Sequence, residues 1–238
     1  MLATATATAN DSAFEQDPAA LAAPRFHKSQ SLISIGDFLR LGEIQRLFDG
    51  VPLDPYVEAG FRRKSLFRAR LMRGEVVPSD HAPLYQPSEY NPVHGGIYRH
   101  YPAMDERLAA LLHPVVGIFA ACAGLTARDE VLVQAQRITA TDGQTGFPVV
   151  EGWHQDNIKV LGLLLIDRVN VRGGISLLSP DRGQSLSFAQ TLAPGDFLLV
   201  NDPEVWHNTT PIEQVRRDQP GYRDIVIITS PTNRPPAA

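Results

Sequence analysis

Residues 158–174 read IKVLGLLLIDRVNVRGG. The first nine, Ile158 to Ile166, form an almost unbroken apolar run. A run this short, closed by the turn residues Asn170 to Gly174, fits a buried strand better than a core helix. Similar texture extends on both sides. Val131 to Thr139 alternates upstream, and Ile175 to Leu178, Phe197 to Val200 and Ile225 to Thr229 follow downstream. Pro194-Gly195-Asp196 puts Pro and then Gly at the central positions of a type II turn. Short strands with turn signals between them predict an all-β barrel or double-sheet jelly roll.

The preceding half is richer in helix. Ile35, Phe38, Leu39, Ile44 and Leu47 recur near a 3.6-residue period that ends at Asp49-Gly50. Asp105 to Leu125 is predicted helical with a break at Pro114. The expectation is a mainly β protein with flanking helices. Residues 1–30 read as a flexible N-terminal arm and 31–238 as one domain. Within it, 31–129 form a helical and loop support and 130–230 the β core. The Pro-rich tail from Thr232 is expected to fray.

Composition bounds the function. Of 238 residues, 43% are apolar and 20% charged, as in a globular chain. One cysteine, Cys122, excludes an internal disulfide and a Cys-rich zinc site, and fits a cytoplasmic setting. The net charge of −4 weighs against a general nucleic-acid binder. No membrane partner is expected. The best apolar stretch, Leu111 to Leu125, contains His113 and Pro114, and the N-terminus lacks the features of a secretory signal. Basic residues concentrate at Phe61 to Arg73, an alternating segment with Phe67, Ala69 and Leu71 on one face and Leu66, Arg68, Arg70 and Met72 on the other. Its basic side reads as solvated more readily than as an anion site.

The chemistry concentrates at Glu151-Gly152-Trp153-His154-Gln155-Asp156-Asn157. On a strand, His154 and Asp156 project to the same side. His207 follows, and neighbouring strands of a jelly roll can bring it alongside. Two histidines and a carboxylate on one face of a metal leave three positions open, as in non-haem Fe(II) oxygenases. The alternative is a polar pair in a turn with an unrelated core histidine. Arg223 shares its face with Ile225 and Ile227, a costly position unless an anion meets it. That anion is either a bound carboxylate or an internal partner such as Asp202 or Glu204. The two tryptophans, Trp153 and Trp206, precede the two histidines and read as packing residues. His94, in the Gly-rich HGGIY segment, is a weaker pocket candidate.

Taken in order, the segments Gln136-Arg137-Ile138, Gly152-x-His154-x-Asp156, Arg168-x-Asn170-x-x-Gly173-Gly174, Asp202-x-x-x-x-His207-x-x-x-Pro211 and Tyr222-Arg223-Asp224 resemble one family. It is the bacterial 2-oxoglutarate/Fe(II) dioxygenase family that includes the L-isoleucine 4-hydroxylases. The resemblance implies a double-stranded β-helix core. It implies Fe(II) held by His154, Asp156 and His207, 2-oxoglutarate held by Arg223, and O₂ as co-substrate. A small substrate, a free L-amino acid or derivative, would be hydroxylated with release of succinate and CO₂. Arg137 and Arg168 match family arginines and are either substrate contacts or structural ion pairs. Trp153 and Asn157 depart from the family pattern, which has a smaller aliphatic and a Gly there. If they line the pocket, the substrate differs from isoleucine. Alternatives are an oxygenase of the same mechanism acting on a protein side chain or methylated nucleobase, for which the basic strand speaks, a non-catalytic metal-binding jelly roll, or a zinc hydrolase.

Overall fold

The structure, a computed structural model, describes residues 29–88 and 95–231. The expected arm before Ser29, His94 and the tail from Thr232 lie outside the described residues. Among the described residues, twelve strands and three α-helices follow one another in this order: β1 Gln30–Ser34, α1 Leu41–Leu47, β2 Arg62–Met72, β3 Glu75–Pro78, α2 Glu106–Leu111 and α3 His113–Ala123 come first. Then come β4 Val131–Ala140, β5 Val160–Val169, β6 Val171–Gly173, β7 Ser176–Ser179, β8 Phe188–Gln190, β9 Asp196–Asn201, β10 Trp206–Thr209, β11 Ile212–Gln214 and β12 Gly221–Ser230.

A seven-stranded sheet runs β1-β9-β5-β12-β4-β2-β3, and smaller sheets run β10-β7-β8 and β11-β6. All pairs are antiparallel. This is the expected jelly roll, one large sheet faced by two short ones. The apolar run of β5 works because both of its faces are covered. Val160, Leu164 and Ile166 pack outward, with Phe197, Val226 and Ile228, against Phe48, Leu112, Val116 and Phe119 of the helical layer. Leu161, Leu163 and Leu165 face inward with Leu198, Val200 and Ile225, against Leu178 and Val205. Gly162 has no side chain because a Cβ there would lie 2.7 Å from Phe197 and 3.0 Å from Phe119.

The helical support differs in detail from its periodicity. Gln30, expected at the end of the arm, opens an edge strand that pairs Gln30 with Val200. The apolar period over 35–47 is therefore divided into a 3₁₀ turn at Gly36–Phe38 and the short helix α1. The break near Pro114 is real. Helix α2 starts at a cap where Asp105 Oδ1 accepts from Arg107 N and Leu108 N at 3.0 Å each. It ends at Leu111, and Pro114 sits in the first turn of α3. The turn at 193–196 forms as expected, with Asp196 N donating to Ala193 O at 2.9 Å and Gly195 at φ +88°.

The basic segment is the largest departure. It is β2, but its basic face turns into the barrel. Arg62, Lys64 and Arg68 are buried. Only Arg70 and Arg73 lie exposed. A stripe that alternates polar with apolar reads the same from sequence whether its polar side meets water or a polar cavity.

Candidate metal centre

His154, Asp156 and His207 converge. Their ligand atoms lie within 4.8 Å of one another, on the wall of a cavity in the barrel. His207 is on β10. His154 joins it through an isolated antiparallel bridge, with both backbone hydrogen bonds made at 3.2 and 3.0 Å. The expected strand carrying His154 and Asp156 is therefore a single bridging residue followed by a loop. Asn157 turns that loop at φ +57°. The family's Gly there and this chain's Asn answer the same backbone demand, since Asn tolerates the left-handed region best among non-Gly residues. Asn157 is exposed and is not among the cavity residues.

The buried Asp202 anchors the loop. Its carboxylate accepts from Asp156 N at 3.0 Å and Ile158 N at 3.3 Å, and contacts His207 Nε2 at 3.1 Å. Gln155 Nε2 donates to Asp202 O at 2.8 Å. Sequence offered Asp202 as a partner of Arg223; it holds the triad instead. Removing the carboxylate, Asp202→Ala, orphans Asp156 N and Ile158 N and leaves the Gln155 bond to the backbone carbonyl in place. Destabilisation of roughly 2–4 kcal/mol is expected. Iron affinity should fall ~10–100-fold, because the loop that carries Asp156 loses the carboxylate that fixes its backbone. Urea denaturation and iron titration measure the two. A stability loss with unchanged iron affinity would show that Asp202 serves the fold alone.

Further contacts set the donor atoms. His154 Nδ1 lies 2.8 Å from Gly152 O, so it carries the proton and donates it, leaving the Nε2 lone pair for a metal. Arg99 Nη2 donates to Gln86 Oε1 at 2.6 Å, and Gln86 Nε2 donates to Asp156 Oδ1 at 2.9 Å. Burial and then the charge of His207 lower the pKa of His154. Burial pushes Asp156 upward, but His207, His154 and the Gln86 hydrogen bond outweigh it and the net shift is downward. A neutral imidazole and an ionised carboxylate are the forms that bind a metal.

Arg223 reaches the same cavity from β12, with Ile225 and Ile227 beside it. It is 2% exposed, and its Nη2 has no hydrogen-bond partner. Burial first, and the nearby Arg168 second, lower its pKa to about 10. Neither Asp202 nor Glu204 pairs with it among the described residues. Gly174, at φ +65°, makes room for it: a Cβ there would lie 3.1 Å from Arg223 Cδ. An unpaired, buried guanidinium beside a His₂Asp cluster is the donor set that a dicarboxylate chelating Fe(II) requires, so the residues present fit both groups.

The other candidates lie elsewhere. Arg137 sits on the helix-facing side of β4, bidentate to Asp224 at 2.7 Å for each bond and 2.7 Å from Asp49 Oδ1. Its strand position alternates with the cavity residues Gln134 and Gln136, and Arg137 itself is not among the cavity residues. Arg168 donates to the carbonyls of Val171 and Gly173 and is absent from the cavity wall. Trp153 packs on Gly183, where a Cβ would meet its Nε1 at 2.3 Å, and Trp206 lies under Arg182 at 4.9 Å. Neither tryptophan is among the cavity residues. Sequence reasoning missed Lys64, Gln86, Arg99, Gln134 and Gln136, which line the cavity. The i, i+2 glutamines Gln134 and Gln136 on β4, which place two amides on one face of the strand, were the available signal.

Comparison with known proteins agrees with this geometry. A family model described as 2OG-Fe dioxygenase matches residues 45–229. The chain is 26% identical over 207 residues to the 3(1)-hydroxy-L-isoleucine 4-dioxygenase of Pantoea ananatis strain AJ13355, covering 83% of each. A bsmA homologue from Methylobium petroleophilum PM1 superposes with a TM-score of 0.69 at 24% identity, over 82% of this chain and 83% of that one. IDO from Bacillus thuringiensis does so with a TM-score of 0.67 at 16% identity, over 87% and 92%. These two structures show the shared fold. Among the described residues no helix is long and apolar enough to cross a membrane. With the match spanning most of the chain, and Fe(II), 2-oxoglutarate and O₂ as the family's reactants, the chain belongs to the 2OG-Fe dioxygenase family.

Proposed function

We propose that this enzyme hydroxylates an unactivated C–H bond of a free L-amino acid or close derivative. His154, Asp156 and His207 hold Fe(II), and Arg223 receives the distal carboxylate of 2-oxoglutarate. The observation that carries the reading is the unpaired Nη2 of Arg223 on the wall that also carries the triad. Bound iron and 2-oxoglutarate supply O₂ activation and C–H oxidation, with succinate and CO₂ as co-products.

The chain's own residues prepare the site. Gly152 O holds the His154 ring by its Nδ1 proton. Gln86 and Asp202 fix the Asp156 side chain and backbone. A metal held by His207 would need the ring neutral, and a bond to its Nε2 would displace the contact with Asp202. Leu161, Leu163, Ile225 and Ile227 line the barrel side of the cavity with hydrocarbon. They exclude water from the oxidation site. Asp156 fills the third protein position and speaks against halogenation, which needs that position vacant for halide.

The amino-acid assignment draws support from the relative that acts on a hydroxylated isoleucine. It also draws support from a cavity wall holding both Lys64 and Glu151, opposite charges suited to a zwitterion. The basic strand that favoured a protein or nucleic-acid substrate lends no such support, since its inner face is buried. Incubation with Fe(II), 2-oxoglutarate, O₂ and a panel of free L-amino acids is expected to raise succinate above the uncoupled background for aliphatic members. The product should gain one oxygen atom by mass. A flat panel would sink the assignment, and loss of hydrogens without oxygen would mark a desaturase.

A further inference from the structure

The cavity contains a second cation that the fold leaves without a counter-ion. Lys64, on β2, is 7% exposed and lines the cavity. Its Nζ lies 4.6 Å from the centroid of the Tyr101 ring. No hydrogen bond or ion pair to it occurs among the described residues. The neighbouring cations are committed: Arg62 Nε pairs with Asp54 Oδ2 at 2.6 Å, and Arg68 Nη2 donates to Pro83 O at 3.1 Å. Arg99 gives Nη2 to Gln86, yet its buried Nε has no partner. Burial, then the charges of Arg62 and Arg99, draw the pKa of Lys64 down to about 7 against the pull of Asp54 and Glu151. The fold would be at least as well served by an apolar residue, because a buried ammonium without an anion is costly.

Position distinguishes Lys64 from Arg223. Lys64 pairs across the sheet with Gln136 and that with Ile225, whereas Arg223 pairs with Ile138. The two cations are two strands apart and one pleat out of step, about 12 Å between backbones at ordinary sheet spacings. Arg223 stands beside Gly174, within the jelly roll. Lys64 lines the cavity together with Leu84, Pro148, Val149 and Glu151, which come from segments outside the named strands. Chelation of iron and the bond to Arg223 account for both carboxylates of 2-oxoglutarate, so an anion at Lys64 comes from a second molecule.

We infer that Lys64, backed by Arg99, binds the carboxylate of the substrate, placing an aliphatic amino acid in the cavity that Leu84, Pro148 and Val149 also line. The inference rests on the amino-acid reading above and adds the residue that recognises the acid group.

The test uses an amino acid turned over by the wild type, together with its primary carboxamide. The wild type is expected to prefer the acid by roughly 10- to 100-fold in kcat/KM, the range of a hydrogen bond between charged groups. Lys64→Met should lose that factor on the acid and no longer discriminate between acid and amide. Lys64→Arg should recover part of the preference. Anaerobic titration gives a readout apart from turnover. The substrate-induced change in the Fe(II)–2-oxoglutarate absorption band should need a higher acid concentration in Lys64→Met, while the 2-oxoglutarate concentration that forms the band stays the same. A thermal melt no lower than the wild type's shows that the variant folds. If Lys64→Met instead weakens 2-oxoglutarate binding and keeps the acid preference, Lys64 serves the co-substrate and the inference falls. A wild type that responds to amino acids but treats acid and amide alike overturns the Lys64 site alone. A wild type that responds to none overturns both readings.

Discussion

His207→Ala is expected to abolish 2-oxoglutarate turnover and the anaerobic absorption band while leaving the chain folded. The effect should exceed the ~100-fold upper range seen when only a group behind a ligand is changed, because a ligand atom itself is removed. Two features of the structure support an intact fold. The bridge between His154 and His207 uses backbone N–H and C=O groups at 3.2 and 3.0 Å, which alanine keeps. The side chain's partner, Asp202, retains its bonds from Asp156 N and Ile158 N. Circular dichroism and a melt establish folding, and iron titration with the anaerobic spectrum establishes the loss. A His207→Ala enzyme that still binds iron and 2-oxoglutarate with near-native affinity would remove His207 from the ligand set.

The parts of this molecule that could be read from its sequence are those where chemistry and period agree. The run Ile158–Ile166 announced a buried strand because both sheet faces demand hydrocarbon there. His154, Asp156 and His207 stood out as two histidines and a carboxylate at a metal-ligand spacing, and Arg223 because a guanidinium among apolar neighbours is costly unless an anion meets it. Lys64 obeys the same rule yet was obscured. Its segment carries six basic residues between 62 and 73, five of them on β2, and three of the six, Arg63, Arg70 and Arg73, meet water or its margin. Strand alternation separates two faces without saying which encloses a cavity; only the pairing of β2 with β4 decides that. Asp202 was obscured for another reason. Its partners are backbone N–H groups of residues 156 and 158, and backbone donors carry no residue signature. The short strands β6, β8 and β11 span three residues each, too few for any period to show.

Arg223→Met is expected to separate function from stability, moving the two in opposite directions. The guanidinium is 2% exposed, its Nη2 is unpartnered, and Arg168 faces it across the β12–β5 pairing. Burial and that like charge hold its pKa near 10, below the usual arginine range. A cation whose folded pKa is lowered destabilises the fold at every pH below that value, so the penalty is fully present at neutral pH. Methionine fills similar space without the charge, and replacements of this kind are neutral or stabilising by roughly 1–4 kcal/mol. For a chain of this size that corresponds to a melting temperature unchanged or raised by several degrees, at about 2–4 °C per kcal/mol. Function should respond the other way. Losing a charge-assisted, bidentate contact is expected to weaken 2-oxoglutarate binding by about 100-fold, with substrate oxidation falling in step at fixed co-substrate. Ligand-dependent melting tests both halves in one experiment. With Mn(II) in place of iron to prevent turnover, 2-oxoglutarate should raise the wild-type melt and leave that of Arg223→Met nearly unmoved. A variant that melts well below the wild type without ligand would mean that Arg223 is held by the protein after all. A variant that still gains the wild-type increment from 2-oxoglutarate would place the distal carboxylate on another residue.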